Sequence, residues 1–343
     1  MRILYAIQGT GNGHTSRAIE IIPILLHKAE VDVLISGTQA DLELPFTVKY
    51  QYKGLGFIFG KDGGIAYLQT LKNTNLFSFI NEVRKCPVQD YDLVINDFEP
   101  ISAWACKLKG TTCISLSHQS ALLGANIPQI KEKNWFAMKV LKYYAPSQEN
   151  FGFHFKKYNR NLFTPIIRNN IRNAEVKTKK HYTVYLPAYS DEKIIHFLSK
   201  FPKIKWQVFS KESKKPYSKK NVFVRPIETY AFEKSMATCT GVLCGAGFET
   251  PAEALFLKKK LLVIPMKGQY EQQLNAAALK EMGVTVLQKL NKKHYYEFVK
   301  WIASKKIVQV QYPNHTHRIL SLILEKYNIV KQADYQISRE LML

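Results

Sequence analysis

The chain has 343 residues, enough for about two domains of ordinary size. Hydrophobic residues make up 46% and charged residues 22%, which excludes a disordered chain, a coiled coil and a collagen-like chain. Lys and Arg number 49 against 27 Asp and Glu, so a net charge of +22 points to anionic partners while saying nothing about fold.

Short β-rich runs alternate with helical runs along the chain. Arg2–Gln8 reads as an apolar strand, followed by a Gly-rich turn over Gly9–His14. Ser16 is placed to cap a helix whose apolar face carries Ile19, Ile22, Leu25 and Leu26. Strands follow at Val31–Ser36 and Thr47–Tyr52, then a helix over Leu76–Lys85 and a buried strand at Leu93–Asn96. Ile101–Lys109 is a helix, Cys113–Ser117 a strand, Trp135–Tyr144 a helix and Phe151–Phe155 a strand.

A polar, basic stretch over Thr164–Lys180 reads as a connector, and alternation then restarts. Strands are predicted at Tyr182–Leu186, Lys205–Phe209, Asn221–Arg225, Gly241–Cys244, Leu261–Ile264 and Val284–Gln288. Helices are predicted over Glu192–Phe201, from about Pro251, over Gln272–Glu281, Tyr295–Ser304 and His317–Tyr327, with Lys211–Lys220 a solvated loop. Two successive βαβ series imply an α/β protein with two doubly wound, Rossmann-like parallel sheets. The expected division is 1–163, a linker over 164–180, a second domain over 181–310 and a helical segment over 311–343 that packs back toward the first domain.

No apolar run approaches the roughly 20 residues of a membrane span. The five cysteines (Cys86, Cys106, Cys113, Cys239 and Cys244) show no metal spacing. They fit buried thiols in a reducing compartment, so the expected location is cytoplasmic.

Ligands of doubly wound sheets sit beyond the carboxyl ends of the strands, at the switch point. The residues just after strands therefore come first. Gly9, Gly11 and Gly13 let backbone approach a ligand, and the helix that follows favours an anion. No Gly-Lys-Ser/Thr follows, so this is not a P-loop. Gly11, Asn12 and Gly13 lie at the cleft, and His14 stands at its mouth. Asp97, after strand 4, falls on the same rim, where a carboxylate would fix an imidazole's tautomer and raise its basicity. Asp97 could equally cap the next helix. Glu99 is a second candidate partner for His14, and His118 and Gln119 follow the next strand.

The most specific region runs Gly245, Ala246, Gly247, then Thr250, Pro251 and Glu253-Ala254-Leu255, with Pro265 and Glu271-Gln272 beyond. Thr250 and Pro251 look like a cap and an N1 proline. The free N–H groups would suit a diphosphate. Glu253 could accept both hydroxyls of a ribose, or close a plain capping box with Thr250.

This region resembles the donor half of the GT-B glycosyltransferases. Its counterpart there is the pattern Gly-Gly-x-x-Ser/Thr-x-x-Glu-Ala-Leu followed by Pro and by Asp/Glu-Gln-x-x-Asn-Ala, here Glu271, Gln272, Asn275 and Ala276. The N-terminal Gly-Thr-Gly-Asn-Gly-His14 resembles the turn and histidine of glycosyltransferase family 28. The resemblance implies a GT-B fold facing a central cleft. It also implies transfer of a sugar from a nucleoside diphosphate donor, a UDP-sugar, to an acceptor hydroxyl, with inversion, no metal and no resident cofactor. It gives Glu253 to the ribose, Gly245, Gly247 and Thr250 to the diphosphate region, Glu271 and Gln272 to the donor sugar, and the backbone of Ile227 to the nucleobase. His14 becomes the base and Asp97 its partner. Two departures stand out: Ala246 replaces the first glycine, and Gly245 stands where many relatives carry His or Arg. Arg225 or a nearby lysine is the substitute the sequence offers.

The acceptor is expected to be lipid-linked or a cell-envelope precursor. Trp135, Phe136, Tyr143 and Tyr144 among Lys131, Lys133, Lys139 and Lys142 read as an interfacial helix on the inner face of an anionic membrane, or as a core helix with a basic face. A sugar-nucleotide 2-epimerase of the same architecture is the rival enzyme. The charge alone would allow a nucleic-acid-binding protein, but no such module is present and no nucleic-acid partner is expected.

Overall fold

The computed structural model describes residues 1–37, 44–55, 76–124, 126–130 and 134–340. The first sheet holds β1 (Arg2–Gln8), β2 (Glu30–Ser36), β3 (Val48–Tyr52), β4 (Leu93–Asp97), β5 (Cys113–Ser117), β6 (Glu149–Phe153) and β7 (Leu162–Phe163). Their order is β3-β2-β1-β4-β5-β6-β7, all parallel. The switch point therefore lies between β1 and β4, and Ile7 pairs with Asp97 there. Helices α1 (Asn12–Leu26), α2 (Leu76–Lys85), α3 (Pro100–Lys109), α4 (His118–Ala121) and α5 (Trp135–Tyr144) connect these strands. Lys131 and Lys133 fall outside the described residues.

The second sheet holds β8 (His181–Tyr185), β9 (Lys205–Ser210), β10 (Tyr217–Lys219), β11 (Val222–Pro226), β12 (Gly241–Gly245), β13 (Lys260–Ile264) and β14 (Thr285–Val286), in the order β10-β11-β9-β8-β12-β13-β14. Only β10 is antiparallel. Its switch point lies between β8 and β12, so the turn after β12 opens at the rim. Helices α6 (Asn169–Arg172), α7 (Asp191–Leu198), α8 (Thr229–Thr238), α9 (Glu249–Phe256), α10 (Tyr270–Glu281), α11 (Tyr295–Ala303) and α12 (Thr316–Glu340) complete the chain.

Central strands of both sheets are buried along their length, and parallel sheets need that cover on both faces. One apolar cluster runs from Ile3, Ile21 and Phe153 through Cys244, Phe248 and Leu279 to Tyr312 and Leu320, so it spans both sheets. After the second sheet the chain returns to the first. The Tyr312 hydroxyl donates to the Phe155 carbonyl at 2.9 Å, and Lys326 and Tyr327 both reach Glu149. The five cysteines are buried free thiols. No helix among the described residues is long and apolar enough to cross a membrane.

Three local expectations are corrected. Ser16 does not cap α1: the helix starts at Asn12 after Gly11, whose φ of 95° turns the chain earlier than a side-chain cap would. Likewise Phe248, not Thr250, precedes α9, so no Thr250–Glu253 capping box forms. Pro251 falls in the first turn, where its missing N–H leaves no bond unmade. The basic loop carries the short strand β10, and Thr229–Thr238 forms helix α8 although it lacks a clean apolar stripe.

Candidate functional site

The two switch points face one cleft of about 880 Å³. From the first unit it is lined by Gln8, the turn Thr10–Gly13, His14, Arg17, Phe98, His118 and Gln119, with Ala137, Val140 and Leu141 of α5 as an apolar wall. From the second unit come Tyr185, Lys211, Ile227, Gly245, Gly247, Glu249, Thr250, Glu253, Glu271 and Gln272, with Arg168 from the connector. Every site residue expected from the sequence lines this cleft except Asp97 and Glu99.

Asp97 lies directly behind His14. The His14 Nδ1 is 2.8 Å from the Asp97 Oδ1, and Asp97 is fully buried. Arg17, one turn along α1 from His14, donates from Nε to Oδ2 at 2.9 Å and from a terminal nitrogen to Oδ1 at 2.8 Å. Burial pushes the Asp97 carboxyl up, but the Arg17 guanidinium and His14 outweigh it and hold it below the ordinary carboxylate range. An ionised Asp97 accepts the Nδ1 proton of His14, which leaves Nε2 with its lone pair. The Gln119 side-chain nitrogen stands 3.5 Å from that Nε2 and donates to Glu271 Oε2 at 3.1 Å. His14 and Glu271 thus face each other across the cleft.

Glu99 is not a partner of His14. It is buried and caps α3, accepting from the Ile101 and Ser102 amides at 2.7 and 2.6 Å. That frees Asp97 from the capping role. Between them Phe98 takes a left-handed φ of 59°, which turns its ring onto His14 (6.5 Å, 7°) and Tyr144. A bulky residue in that region is held there by its surroundings.

His118 is buried, stacks on Phe248 at 3.8 Å, and sets Nδ1 on the Phe153 carbonyl and Nε2 on Asn275. Burial lowers its pKa to about 3, and its contacts with Phe153, Phe248 and Asn275 join the two units. Its position next to Gln119 lets the short helix α4 contact both the cleft and the opposite unit.

In the second unit both oxygens of Glu253 accept from Arg168, at 2.6 and 2.8 Å, and Arg168 also reaches Glu233 at 2.6 Å. Burial raises the Glu253 carboxyl, and the Arg168 contact opposes that rise. Glu271 is raised by burial too. The Gln272 carbonyl accepts from the Met266 amide, which fixes the turn before α10. Arg225 pairs with Glu228 and does not line the cleft, so the substitute cation is not there. The cations facing the cleft are Arg17, Arg168 and Lys211. Arg17 and Arg168 escaped the sequence reading. Arg17 had a legible signal, since it sits three residues after His14 on one helix face; Arg168, in an aperiodic connector, had none.

The Asp-x-Asp of Asp90 and Asp92 lies at the opposite end of the sheet, where the Arg2 amide donates to the Asp92 carboxylate and the Arg2 side chain to the Asp90 main-chain carbonyl. Among the described residues no group of three or more His, Cys, Asp or Glu could hold a metal ion.

Comparison with known proteins agrees with this architecture. UGT2 of Phytolacca americana, complexed with UDP-2-fluoro-glucose and pterostilbene, superposes with a TM-score of 0.58 at 13% identity, covering 95% of this chain and 98% of that one. MurG of Acinetobacter baumannii superposes with a TM-score of 0.56 at 13% identity, over 94% and 99%. The glycosyltransferase of kitacinnamycin gives 0.55 at 12% identity, over 98% of both chains. These likenesses show a shared GT-B fold. No curated protein sequence matches. The family model for glycosyl transferase family 1 matches residues 1–303. The chain is a glycosyltransferase of GT-B fold and belongs to glycosyl transferase family 1.

Proposed function

We propose that the protein transfers a sugar, with inversion, from a nucleoside diphosphate donor held by the second unit to an acceptor hydroxyl held by the first. The observation that carries this reading is the buried His14–Asp97 contact, with Nε2 of His14 turned into the cleft toward Glu271. The acceptor O–H donates to Nε2, its oxygen attacks the anomeric carbon, and the proton moves to His14. General-base help of this kind contributes about 10²–10⁴ in rate.

As the bond to the donor breaks, negative charge grows on the leaving diphosphate. The N-terminal turn of α9, from Gly247 to Thr250, and the cleft arginines stabilise it without needing a metal. Gly247 has open space where a Cβ would stand, so a phosphate can come against its backbone. Glu271 and Gln272 hold the donor sugar. Glu253 takes the ribose hydroxyls when Arg168 yields one of its oxygens. Ile227, partly exposed at the end of β11, offers its backbone to the base. UDP is the proposed nucleotide, because the relative bound to a UDP-sugar shares this fold.

The acceptor site is walled by Phe98 and α5. The outer face of α5 exposes Trp135, Phe136 and Tyr143 beside Lys139 and Lys142 and carries no acid. That face suits an anionic lipid surface on which a lipid-linked acceptor would lie.

Thermal denaturation with a panel of nucleoside diphosphates tests the donor assignment. UDP should raise the melting temperature, since a ligand of the native state at about 100 times its Kd adds about 2.7 kcal/mol. A response to none of the panel would refute it.

A further inference from the structure

The charge of the cleft does not follow the charge of the molecule. The chain carries +22, yet Arg17, Arg168 and Lys211 are opposed in the cleft by Glu249, Glu253 and Glu271. A nucleoside diphosphate must enter this balanced site. Arg168 is already held by two carboxylates, Glu253 and Glu233.

Arg17 is held differently. Its Nε and one terminal nitrogen serve Asp97 in its own unit, while Nη1 crosses the cleft to Glu249 Oε1 at 2.6 Å. The Arg17 side chain is 3% exposed and that of Glu249 27%. The fixed partner is therefore the guanidinium, and the carboxylate is the one that can leave.

Glu249 also rests on the start of α1. A Cβ on Gly13 would stand 2.6 Å from Glu249 Oε2. Helix α1 begins after Gly11 with no side-chain cap and no acid in its first turn. The positive dipole end of α1 favours an anion, and the Glu249 carboxylate from the opposite unit stands there. Glu249 itself belongs to the first turn of α9, so its carboxylate reaches from that helix to Arg17 and to the start of α1. Phosphate oxygens compete for the same donors, and arginine binds both anions through the same fork.

We propose that Glu249 is a built-in competitor of the substrate phosphate. Its carboxylate holds the anion seat made by Arg17 Nη1 and the start of α1, and a donor phosphate takes that seat as Glu249 swings outward. Arg17 is then a phosphate ligand supplied by the acceptor-side unit to a donor held by the other. It fills the role left open by Gly245. This rests on the diphosphate donor proposed above.

Calorimetric titration of the full chain and of two variants, with inorganic pyrophosphate and with UDP, tests it. Glu249→Gln removes the competing charge, and should bind both ligands about tenfold tighter or better, because a like charge set against an anion costs affinity. Glu249→Asp keeps the charge and should show no such gain; thermal melting confirms that both variants fold. Unchanged or weaker binding by Glu249→Gln overturns the proposal, as does an equal gain in Glu249→Asp or no pyrophosphate binding by any of the three. A gain for pyrophosphate without any UDP binding upholds the seat and refutes the uridine donor. UDP binding that is equal in all three proteins upholds the donor and refutes the seat.

Discussion

His14 and Arg17, one turn apart on α1, share a single buried carboxylate. Asp97 Oδ1 stands 2.8 Å from His14 Nδ1 and 2.8 Å from a terminal nitrogen of Arg17. Arg17 and His14 hold the Asp97 carboxyl low against the upward push of burial, and the ionised Asp97 fixes the proton of His14 on Nδ1. The base is thus set by two residues: Asp97 at 2.8 Å from Nδ1, and Arg17, whose terminal nitrogen stands 3.2 Å from the same atom.

Asp97→Asn should preserve the shape of this cluster and lower kcat by about 10²–10⁴, because an amide nitrogen can face Nδ1 and select the wrong tautomer. Donor KM should change little, since Asp97 does not line the cleft. Steady-state kinetics with varied donor checks this. An equal rise in KM with kcat preserved would contradict it.

The pH dependence has a definite sign. Asp97 has its carboxyl lowered by folding. Its share of stability is full above roughly pH 4, the ordinary value, and is lost as pH falls through the lowered one. His118 and His154 are lowered by burial to about 3, so the unfolded chain takes up their protons first. Their contribution falls as pH drops from about 6.5 toward 3. His154 is fully buried, and neither ring nitrogen has a hydrogen-bond partner among the described residues. His154→Phe should therefore raise stability by about 1 kcal/mol or leave it level. It should also flatten the decline of melting temperature over that acid range. Calorimetric melting across pH measures both.

Arg168→Gln removes the cation between Glu253 and Glu233 and leaves two buried carboxylates facing each other. The loss should be about 3–5 kcal/mol, the usual cost of breaking a buried pair. Denaturant unfolding would show it. A change near zero would mean that the two carboxyls take up protons at little cost.

Lys139→Glu with Lys142→Glu should weaken sedimentation with vesicles containing anionic lipid while leaving transfer to a soluble acceptor intact. Each lysine near such a surface contributes about 1 kcal/mol. Equal binding of both proteins to the vesicles, or binding by neither, would remove the membrane reading.

Much of the fold was legible because parallel strands are apolar along their length and their connections are helical. β1, β2, β4 and β5 come within a residue of the strands read from Arg2, Val31, Leu93 and Cys113. Boundaries failed where backbone rather than side chains sets the helix start, as at Gly11 before α1 and Phe248 before α9. In the candidate site, His14, Gln119, Glu253 and Glu271 were visible because they follow strands. The roles of Asp97 and Glu99 depend on which carboxylate turns toward the helix amides. The reversal of φ at Phe98 decides that, and the sequence does not announce it. Arg168, Glu233 and Glu249 find their partners only across the chain, so no local pattern reveals them.

The most direct test is the transfer rate of His14→Ala from a UDP-sugar, measured beside its UDP affinity. A loss of about 10²–10⁴ in kcat with UDP binding unchanged is expected. Turnover equal to that of the unaltered protein would contradict it.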